Sequence, residues 1–327
     1  SLRGEPGVRW VGPYEPRHKM DPRLAGTFTG QIGVKVPIRL LTRPDLSATD
    51  IALLFRHLQG ARRRVALDMG VTYEGFLNLA QLRVLAMSPA VLWIEPGSRM
   101  KLVDAVATEI VSGEFTPGGT RARVQELGYD GRGVIVSVAD SGIDSGDPTA
   151  LHPDLDGRLE ALFAYDNLPD ASDEHSHGTH CAGIVLGNGA SGERDESGYL
   201  YGLGVAPGAT LVGQRIFDGS GGYRPPPSFT KLVQDAVRSG AYVASNSWGD
   251  DNGGQYDLSA AEFDALVRDA DPDFPGEQPY VLEFSAGNSG PGGQTIGTPA
   301  VAKNVIATGA TQNNRFEFPL YGEGQEV

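Results

Sequence analysis

Residues 174–183 read EHSHGTHCAG, and this stretch gives the strongest indication of how the chain is built. A histidine between small residues at the start of a helical segment is suited to proton transfer, because glycine and threonine leave its ring uncrowded. Two further motifs stand on either side of it. The upstream one, VSVADSG at 136–142, is an apolar strand that ends in a carboxylate, and the downstream one is FSAGNSG at 284–290. Three motifs in one order are far more specific than any one alone.

These motifs, together with NSWG at 246–249, resemble the subtilisin-like serine proteases (subtilases) over roughly residues 103–327. The resemblance implies that Asp140 orients His177, that His177 is the general base, and that the Asn288 amide faces the oxyanion. The family's nucleophile lies in a Gly-Thr-Ser-Met-Ala-like turn beyond that asparagine, and residues 1–327 contain no such turn. We therefore expect a zymogen-like piece of a serine endopeptidase for proteins and peptides. We expect it to be inactive until a C-terminal fragment supplies the serine.

Charge divides the chain into two blocks. Residues 1–102 carry 15 Lys and Arg against 8 Asp and Glu, a net charge of +7, whereas residues 103–327 carry 12 against 33, a net charge of −21. Opposite charges would favour docking of the blocks, although each is equally well explained as a solvated surface. The acidic block argues against a nucleic-acid partner.

Cys181 is the single cysteine, so an internal disulfide is excluded. The sequence has no run of 18 apolar residues, which argues against a membrane partner, and its first residues lack the apolar core of a signal peptide. The family resemblance still implies a secreted, extracellular protein whose signal peptide is not in this sequence.

The basic block is predicted to hold an irregular lead-in (1–33) and a domain at 34–102. Strands are predicted at 36–41, 64–67, 73–79 and 90–95, and helices at 49–58 and 81–87. The order βαββαβ is typical of a ferredoxin-like α+β domain. The subtilase propeptide has this plan, so the resemblance implies a propeptide that inhibits its own protease. A free-standing ferredoxin-like binding module is the alternative.

Residues 97–132 are predicted to form a glycine-rich linker with a short helix near 121–127. Beyond it, strands are predicted at 134–139, 210–216, 242–246, 280–284 and 304–308, and helices at 178–186, 229–238 and 258–267. Such alternation predicts an α/β domain at 103–327, with a parallel sheet covered by helices on both faces. Asp140, Ser247 and Asn288 each follow a predicted strand, so we expect them to lie together at the carboxyl edge of the sheet.

The resemblance also implies three substrate-binding segments. An extended peptide would pair with the main chain of two of them, and the third would line the opposite wall of a roomy pocket for a large apolar or aromatic side chain. Ordinary loop composition explains the first segment equally well. The segments are Ser220, Gly221 and Gly222; Ser247, Trp248 and Gly249; and Ser285, Ala286 and Gly287.

The sequence offers candidate sites for two metals, calcium and zinc, and no organic cofactor is expected. Asp154, in HPDL at 152–155, matches a position where the family often has a structural calcium ligand, and the loop 188–199 could supply more oxygens; a solvated acidic loop is the alternative. Zinc on His175, His177 and His180 is disfavoured, because the spacing lacks the i, i+4 histidine pair of a helical metalloprotease. We instead expect His175 to be exposed and His180 to pack behind the site.

Cys181 lies one helical turn after His177 and is predicted to be a small buried hydrophobe rather than a nucleophile. The rival function from another class is a pseudoprotease or inhibitor module that binds extended peptides without cleaving them. A zinc hydrolase is a weaker rival.

Overall fold

The computed structural model describes residues 12–24, 34–67, 69–97, 101–102, 122–194 and 200–309. Contacts divide the chain into two compact units, Ser1–Ser98 and Arg99–Val327. The predicted lead-in and linker lie partly outside the described residues. None of the helices in these residues combines the length and the apolar character that a membrane crossing requires.

The first unit has the predicted order of elements, strand, helix, strand, strand, helix, strand. The elements are β1 (Val36–Thr42), α1 (Ala48–His57), β2 (Gln59–Leu67), β3 (Gly70–Leu77), α2 (Leu79–Met87) and β4 (Val91–Pro96). The strands form an antiparallel sheet in the order β2-β3-β1-β4. Side chains from the strands and from both helices, including Leu40, Leu54 and Leu85, form one buried core.

Both helices of this unit begin at a capping box. Ser47 Oγ accepts the N–H of Asp50, and the Asp50 carboxylate accepts the N–H of Ser47. Asn78 and Gln81 exchange the same pair of bonds, so α2 starts earlier than predicted. β2 also starts earlier than predicted, because its first residues pair with β3.

The second unit is built on a parallel sheet, as predicted, but the sheet has six strands rather than the five predicted. Its elements are β5 (Lys101–Leu102), α3 (Arg123–Glu126), β6 (Ile135–Asp140), β7 (Leu159–Ala164), α4 (His177–Leu186), β8 (Thr210–Arg215), α5 (Phe229–Arg238), β9 (Val243–Asn246), β10 (Trp248–Gly249), α6 (Leu258–Arg268), β11 (Val281–Ser285) and β12 (Ile306–Thr308). The sheet order is β12-β11-β9-β6-β8-β7, and its pairs are parallel.

Helices cover both faces of this sheet, because alternate residues of each strand point to opposite sides. On one face, α4 and β6 share a buried apolar cluster that contains Val136, Val138, Cys181, Ala182 and Leu186. On the other face, α5 and α6 pack on an aromatic group formed by Phe229, Trp248, Phe263 and Phe284.

The edge strand β7 was not predicted from the sequence. Its residues read LEALFA, which lacks a period of two, and they are half-buried or exposed. An edge strand is only partly covered, so burial leaves little alternation in its sequence. Pairing with β8 defines this strand.

The sheet order places the ends of β6, β9 and β11 side by side. In the register, Val138 of β6 lies opposite Ser245 of β9, and Asn246 of β9 lies opposite Phe284 of β11. Neighbouring strands are about 4.8 Å apart. The residues that follow these three strands therefore lie together at the carboxyl edge of the sheet, where the strands end.

Candidate active site

Asp140 and His177 form a direct hydrogen-bonded pair at this edge. Asp140 ends β6 and is buried, and its Oδ1 lies 2.7 Å from Nδ1 of His177, the first residue of α4. The same oxygen accepts the backbone N–H of Ser141 at 2.7 Å. A carboxylate held in this way fixes the tautomer of the imidazole, with the proton on Nδ1 and the lone pair on Nε2.

Close packing at the start of α4 makes this pair possible. A Cβ at Gly178 would lie 2.2 Å from the carbonyl oxygen of Gly142, which follows Asp140 by two residues. Glycine therefore lets the first turn of the helix approach the end of β6. Any larger residue at this position would move His177 away from Asp140.

The pKa of His177 is raised above its ordinary value of 6.5. Burial of the ring acts to lower the pKa, but the hydrogen bond to Asp140 and the charge of Asp140 outweigh that effect. Cys181 would add to the rise only as a thiolate, and burial raises the pKa of its thiol. Within the described residues, Nε2 of His177 is buried and has no hydrogen-bond partner.

Cys181 lies beside the pair, buried as predicted. Its Sγ is 3.7 Å from His177 Nδ1, and the thiol also interacts with the Ser247 side chain. In the described part of the chain, Asp140, His177 and Cys181 make up the one cluster of three potential metal-ligating side chains, with ligand atoms within 4.8 Å of one another. Imidazole and thiolate suit a soft cation, so this cluster is a candidate target for mercury.

Modification of Cys181 by a bulky mercurial is expected to inactivate the completed protease, because a group bonded to Sγ would displace the neighbouring imidazole. Cys181→Ser should remove the sensitivity and keep most of the activity, since serine is of similar size. Residual activity with and without the mercurial measures both effects. Complete loss of activity in a folded Cys181→Ser variant would contradict this assignment.

Within the described residues, the ring nitrogens of His175, His177 and His180 do not form a group within 4.8 Å of one another. The prediction that His175 is exposed is met by the structure, whereas the prediction that His180 packs behind the site is wrong, because His180 is exposed. The helical turn of α4 buries Cys181 and Ala182 against β6, and His180 falls on the outer side. His175 lies with its ring 6.2 Å from that of His177, edge to face.

Two oxygens of Asp154, the predicted calcium ligand, accept hydrogen bonds from nearby N–H groups. Its Oδ1 accepts the N–H of Ala190 at 2.6 Å, and its backbone oxygen accepts from the guanidinium of Arg158. A calcium site needs six to eight oxygens, and these contacts involve two oxygens of one residue. Part of the loop 188–199 lies outside the described residues. Calcium at Asp154 stays a prediction, and nothing in the chemistry below depends on it.

Asn288 follows β11 by three residues and is exposed. β11 is separated from β6 by one strand, so Asn288 lies at the same sheet edge as Asp140 and His177. The preceding Gly287 has a φ of 98°, a left-handed conformation that favours glycine. This turn is compatible with the oxyanion role implied by the sequence, which stays a prediction.

The main chain of Trp248 and Gly249, predicted to bind substrate, pairs in the structure with a segment of this chain, and substrate pairing here stays a prediction. β10 is antiparallel to β5, with Trp248 opposite Leu102 and Gly249 opposite Lys101. The Trp248 side chain is fully buried in the core, so only its backbone takes part. Ser247, which precedes this pair, is half-buried next to Cys181.

The backbone N–H groups of Ser220, Gly221 and Gly222 all donate hydrogen bonds within their own turn. The Asp218 carboxylate accepts the N–H groups of Ser220 and Gly222, each at 2.9 Å, and the Asp218 carbonyl accepts that of Gly221. A peptide strand would have to pair with carbonyl oxygens here. Substrate binding by this turn stays a prediction.

The predicted pocket wall at Ser285, Ala286 and Gly287 continues β11. The N–H of Ala286 donates to the carbonyl of Thr308 at 2.8 Å, which fixes the wall to β12. A Cβ placed on Gly287 would lie 3.9 Å from Asp251 Oδ1. The wall predicted to line an apolar pocket therefore has a carboxylate close to it.

Asp173 is the main residue at this site that sequence reasoning missed. It accepts hydrogen bonds from residues next to both Asp140 and His177. An acidic residue shortly before a helix is a usual capping signal, and this signal could have found it.

A family model and similar proteins point to the same protein family. The family model described as "Subtilase family" matches residues 131–325. The Minor extracellular protease Vpr of Bacillus subtilis (strain 168) is 32% identical over 199 residues, which are 57% of this chain and 22% of that protein. The Alkaline elastase YaB of Bacillus sp. (strain YaB) is 30% identical over 255 residues, 77% of this chain and 58% of that protein.

A solved structure shares the fold. Fervidolysin from Fervidobacterium pennivorans, described as a keratinolytic enzyme related to subtilisin, superposes with a TM-score of 0.51 at 20% identity, over 82% of this chain and 42% of that chain. The chain spans between 22% and 58% of the length of the two relatives above. Because the family model matches more than half of the chain, and its motifs fall on one edge of a subtilisin-like α/β sheet, this chain belongs to the subtilase family.

Proposed function

We propose that this chain is the propeptide and the larger part of the catalytic domain of a subtilisin-like serine endopeptidase. The observation that carries the proposal is the 2.7 Å contact between buried Asp140 and His177 Nδ1, which leaves Nε2 free to accept a proton. The sequence of residues 1–327 has no Gly-Thr-Ser-Met-Ala-like turn, so we place the nucleophilic serine in a segment outside them. On this proposal residues 1–327 are inert alone.

The proposed reaction is hydrolysis of a peptide bond through an acyl-enzyme. The serine Oγ attacks the carbonyl carbon while its proton passes to His177 Nε2, and the Asn288 amide donates to the oxyanion that forms. His177 then gives the proton to the leaving amine. Water repeats the sequence on the acyl-enzyme, its proton passing through His177 to the serine. Asp140 keeps Nδ1 protonated throughout and stabilises the imidazolium.

One face of the sheet supports a further helix that would bring the serine. Val136 and Val138 of β6 are covered by α4 on this face. On the same face, Val281 of β11 and Ile306 of β12 are 44% and 54% exposed. Within the described residues this half of the face has no helix, and apolar side chains on a sheet face call for a covering element.

A serine-directed fluorophosphonate probe tests the proposal on protein from its native source. We expect one serine to be labelled, in a Gly-Thr-Ser-like turn outside residues 1–327, and labelling to require folded protein. Peptide mapping locates the serine, and heat-denatured protein is the control. Labelling within residues 1–327 would contradict the placement of the nucleophile. No labelling at all would favour the peptide-binding pseudoprotease.

The first unit is proposed to be an inhibitory propeptide. Its net positive charge is opposite in sign to that of the acidic catalytic domain, which supports electrostatic docking. Secretion is proposed as well, with support from the relative whose name describes an extracellular protease. No organic cofactor is required by the proposed chemistry.

Maturation is expected to cut the chain within a few residues of Leu102. β5 pairs antiparallel with β10 in the manner expected of a substrate, and Leu102 lies opposite Trp248, the residue after Ser247. N-terminal sequencing of active protease should give a start near residue 103. A start at residue 1, or one beyond Gly133, would rule this out.

A further inference from the structure

Asp173 bonds to residues on both sides of the proposed catalytic pair. Its Oδ1 accepts the hydroxyl of Ser141 at 2.8 Å and the N–H of Ser176 at 2.8 Å. Its Oδ2 accepts both the N–H and the hydroxyl of Thr179, at 2.8 and 2.6 Å. Ser141 follows Asp140 in the chain, and Ser176 precedes His177. One carboxylate thus connects the end of β6 to the start of α4.

Ser141 closes the connection on the other side of His177. Its Oγ accepts the N–H of Gly178 at 2.9 Å, while its own hydroxyl proton goes to Asp173. Gly178 and Thr179 are the second and third residues of α4, whose N–H groups have no partner inside the helix. Ser141 and Asp173 satisfy them, whereas the residue before the helix, Ser176, makes no side-chain cap.

The bond from Asp173 also holds the backbone of Ser176 in an unusual conformation. Ser176 has a φ of 76°, in the left-handed region that is unfavourable for a residue other than glycine. The next residue is His177, so this conformation sets the direction from which the imidazole approaches Asp140. Without the bond, the backbone would gain by relaxing to a right-handed conformation.

Arg215 holds the segment that carries Asp173. This guanidinium is fully buried at the end of β8, where Arg215 lies opposite Asp140 in the sheet. It donates to Glu174 Oε2 at 2.7 Å and to Ser172 Oγ at 3.1 Å, on either side of Asp173. A buried arginine with these bonds gives the segment a rigid base.

We propose that Asp173 is a positioning residue, which sets the approach of His177 to Asp140 through Ser141, Ser176 and Thr179, with Arg215 as the base of its segment. The proposal rests on the catalytic roles proposed above for Asp140 and His177. Among the described residues, Asp173 makes no hydrogen bond to the side chain of Asp140 or His177, so its effect passes through the backbone that carries them.

The test measures the approach of His177 to Asp140 directly, on chain 1–327 and without peptidase activity. With ¹³C-labelled histidine, the ring Cε1–H signal of each histidine is followed against pH, and His177→Ala assigns the signal. The charged and titratable groups that face the His177 ring are Asp140 on β6, Cys181 on α4 and His175 in the preceding segment. In the wild type the pKa of His177 should be above 6.5, because Asp140 raises it.

Ser141→Ala and Asp173→Asn should each lower the pKa of His177 toward 6.5. Ser141→Ala is the cleaner variant, since it cuts the connection without changing charge. Asp147→Asn is the matched control. Asp147 accepts hydrogen bonds from the N–H and the hydroxyl of Thr149, each at 2.8 Å, and Thr149 is not adjacent to Asp140 or His177 in the chain. In a double variant the two losses should not add, because both act through the same bonds.

An unchanged pKa of His177 in folded Ser141→Ala and Asp173→Asn would overturn the proposal. If Asp173→Asn does not fold, Ser141→Ala decides alone. In the completed protease, Asp173→Asn should reduce kcat about 10²-fold with little change in KM, the cost of a small misplacement of a catalytic group. Failure of the endopeptidase proposal would show as an inactive wild-type protease even when the C-terminal fragment is present, whereas failure of this inference would show in the pKa of His177.

Discussion

His177→Ala is expected to abolish peptidase activity, a loss of about 10⁶-fold in kcat, as known for removal of the histidine in subtilisin itself. The assay combines chain 1–327 with a separately made C-terminal fragment that bears a Gly-Thr-Ser-like turn, which we expect to bind and to complete the site. Alanine leaves the serine without a base, while Asp140 keeps a buried charge with no imidazole beside it. Initial rates on a peptide substrate give the loss.

The matched control is His175→Ala, an exposed histidine whose ring lies 6.2 Å from that of His177. The His175→Ala variant should keep most of the activity, because the His175 side chain makes no hydrogen bond to Asp140. Cleavage of casein by chain 1–327 without the fragment would show that the nucleophile lies within these residues. Equal activity of wild type and His177→Ala in the completed protease would remove His177 from the mechanism.

Asp140→Asn is expected to reduce kcat about 10⁴-fold, the size of effect seen when a triad carboxylate becomes an amide. The amide of asparagine can turn an N–H toward His177 Nδ1, which would favour the tautomer with the proton on Nε2. That tautomer cannot accept the proton of the serine. Asp156→Asn, an exposed aspartate elsewhere in the unit, is the control and should be active.

The raised pKa of His177 also predicts how the activity of the wild type and of Asp140→Asn depends on pH. A general base must be neutral, so activity falls as the pH drops through that pKa, and the acid limb of kcat/KM should lie above pH 6.5. The stabilising charge pair has the opposite limit: it is complete below pH 6.5 and is lost as the pH rises through the folded pKa. In Asp140→Asn the residual acid limb should move toward 6.5. An acid limb at the same pH in both proteins would show that Asp140 does not set this pKa.

Much of the fold could be predicted because its signals are local. Apolar runs such as the one ending at Asp140, and helical segments such as α4 and α5, show their period within a few residues. Alternation of strands and helices then requires a parallel sheet, and a parallel sheet brings Asp140, Ser247 and Asn288 to one edge. The motif order around His177 was sufficient to indicate the family.

The sequence by itself predicted which residues would carry the chemistry and placed them at the carboxyl end of the sheet. Only the tertiary structure decided how they are held: the Asp173 bonds, the exposure of His180, the position of Cys181 beside His177, the edge strand β7 and the pairing of β5 with β10. Most of these features are contacts between segments far apart in the chain. The exposure of His180 depends on which face of α4 packs against the sheet. Local residue patterns report burial and period, and they contain no information on which distant donor meets which acceptor.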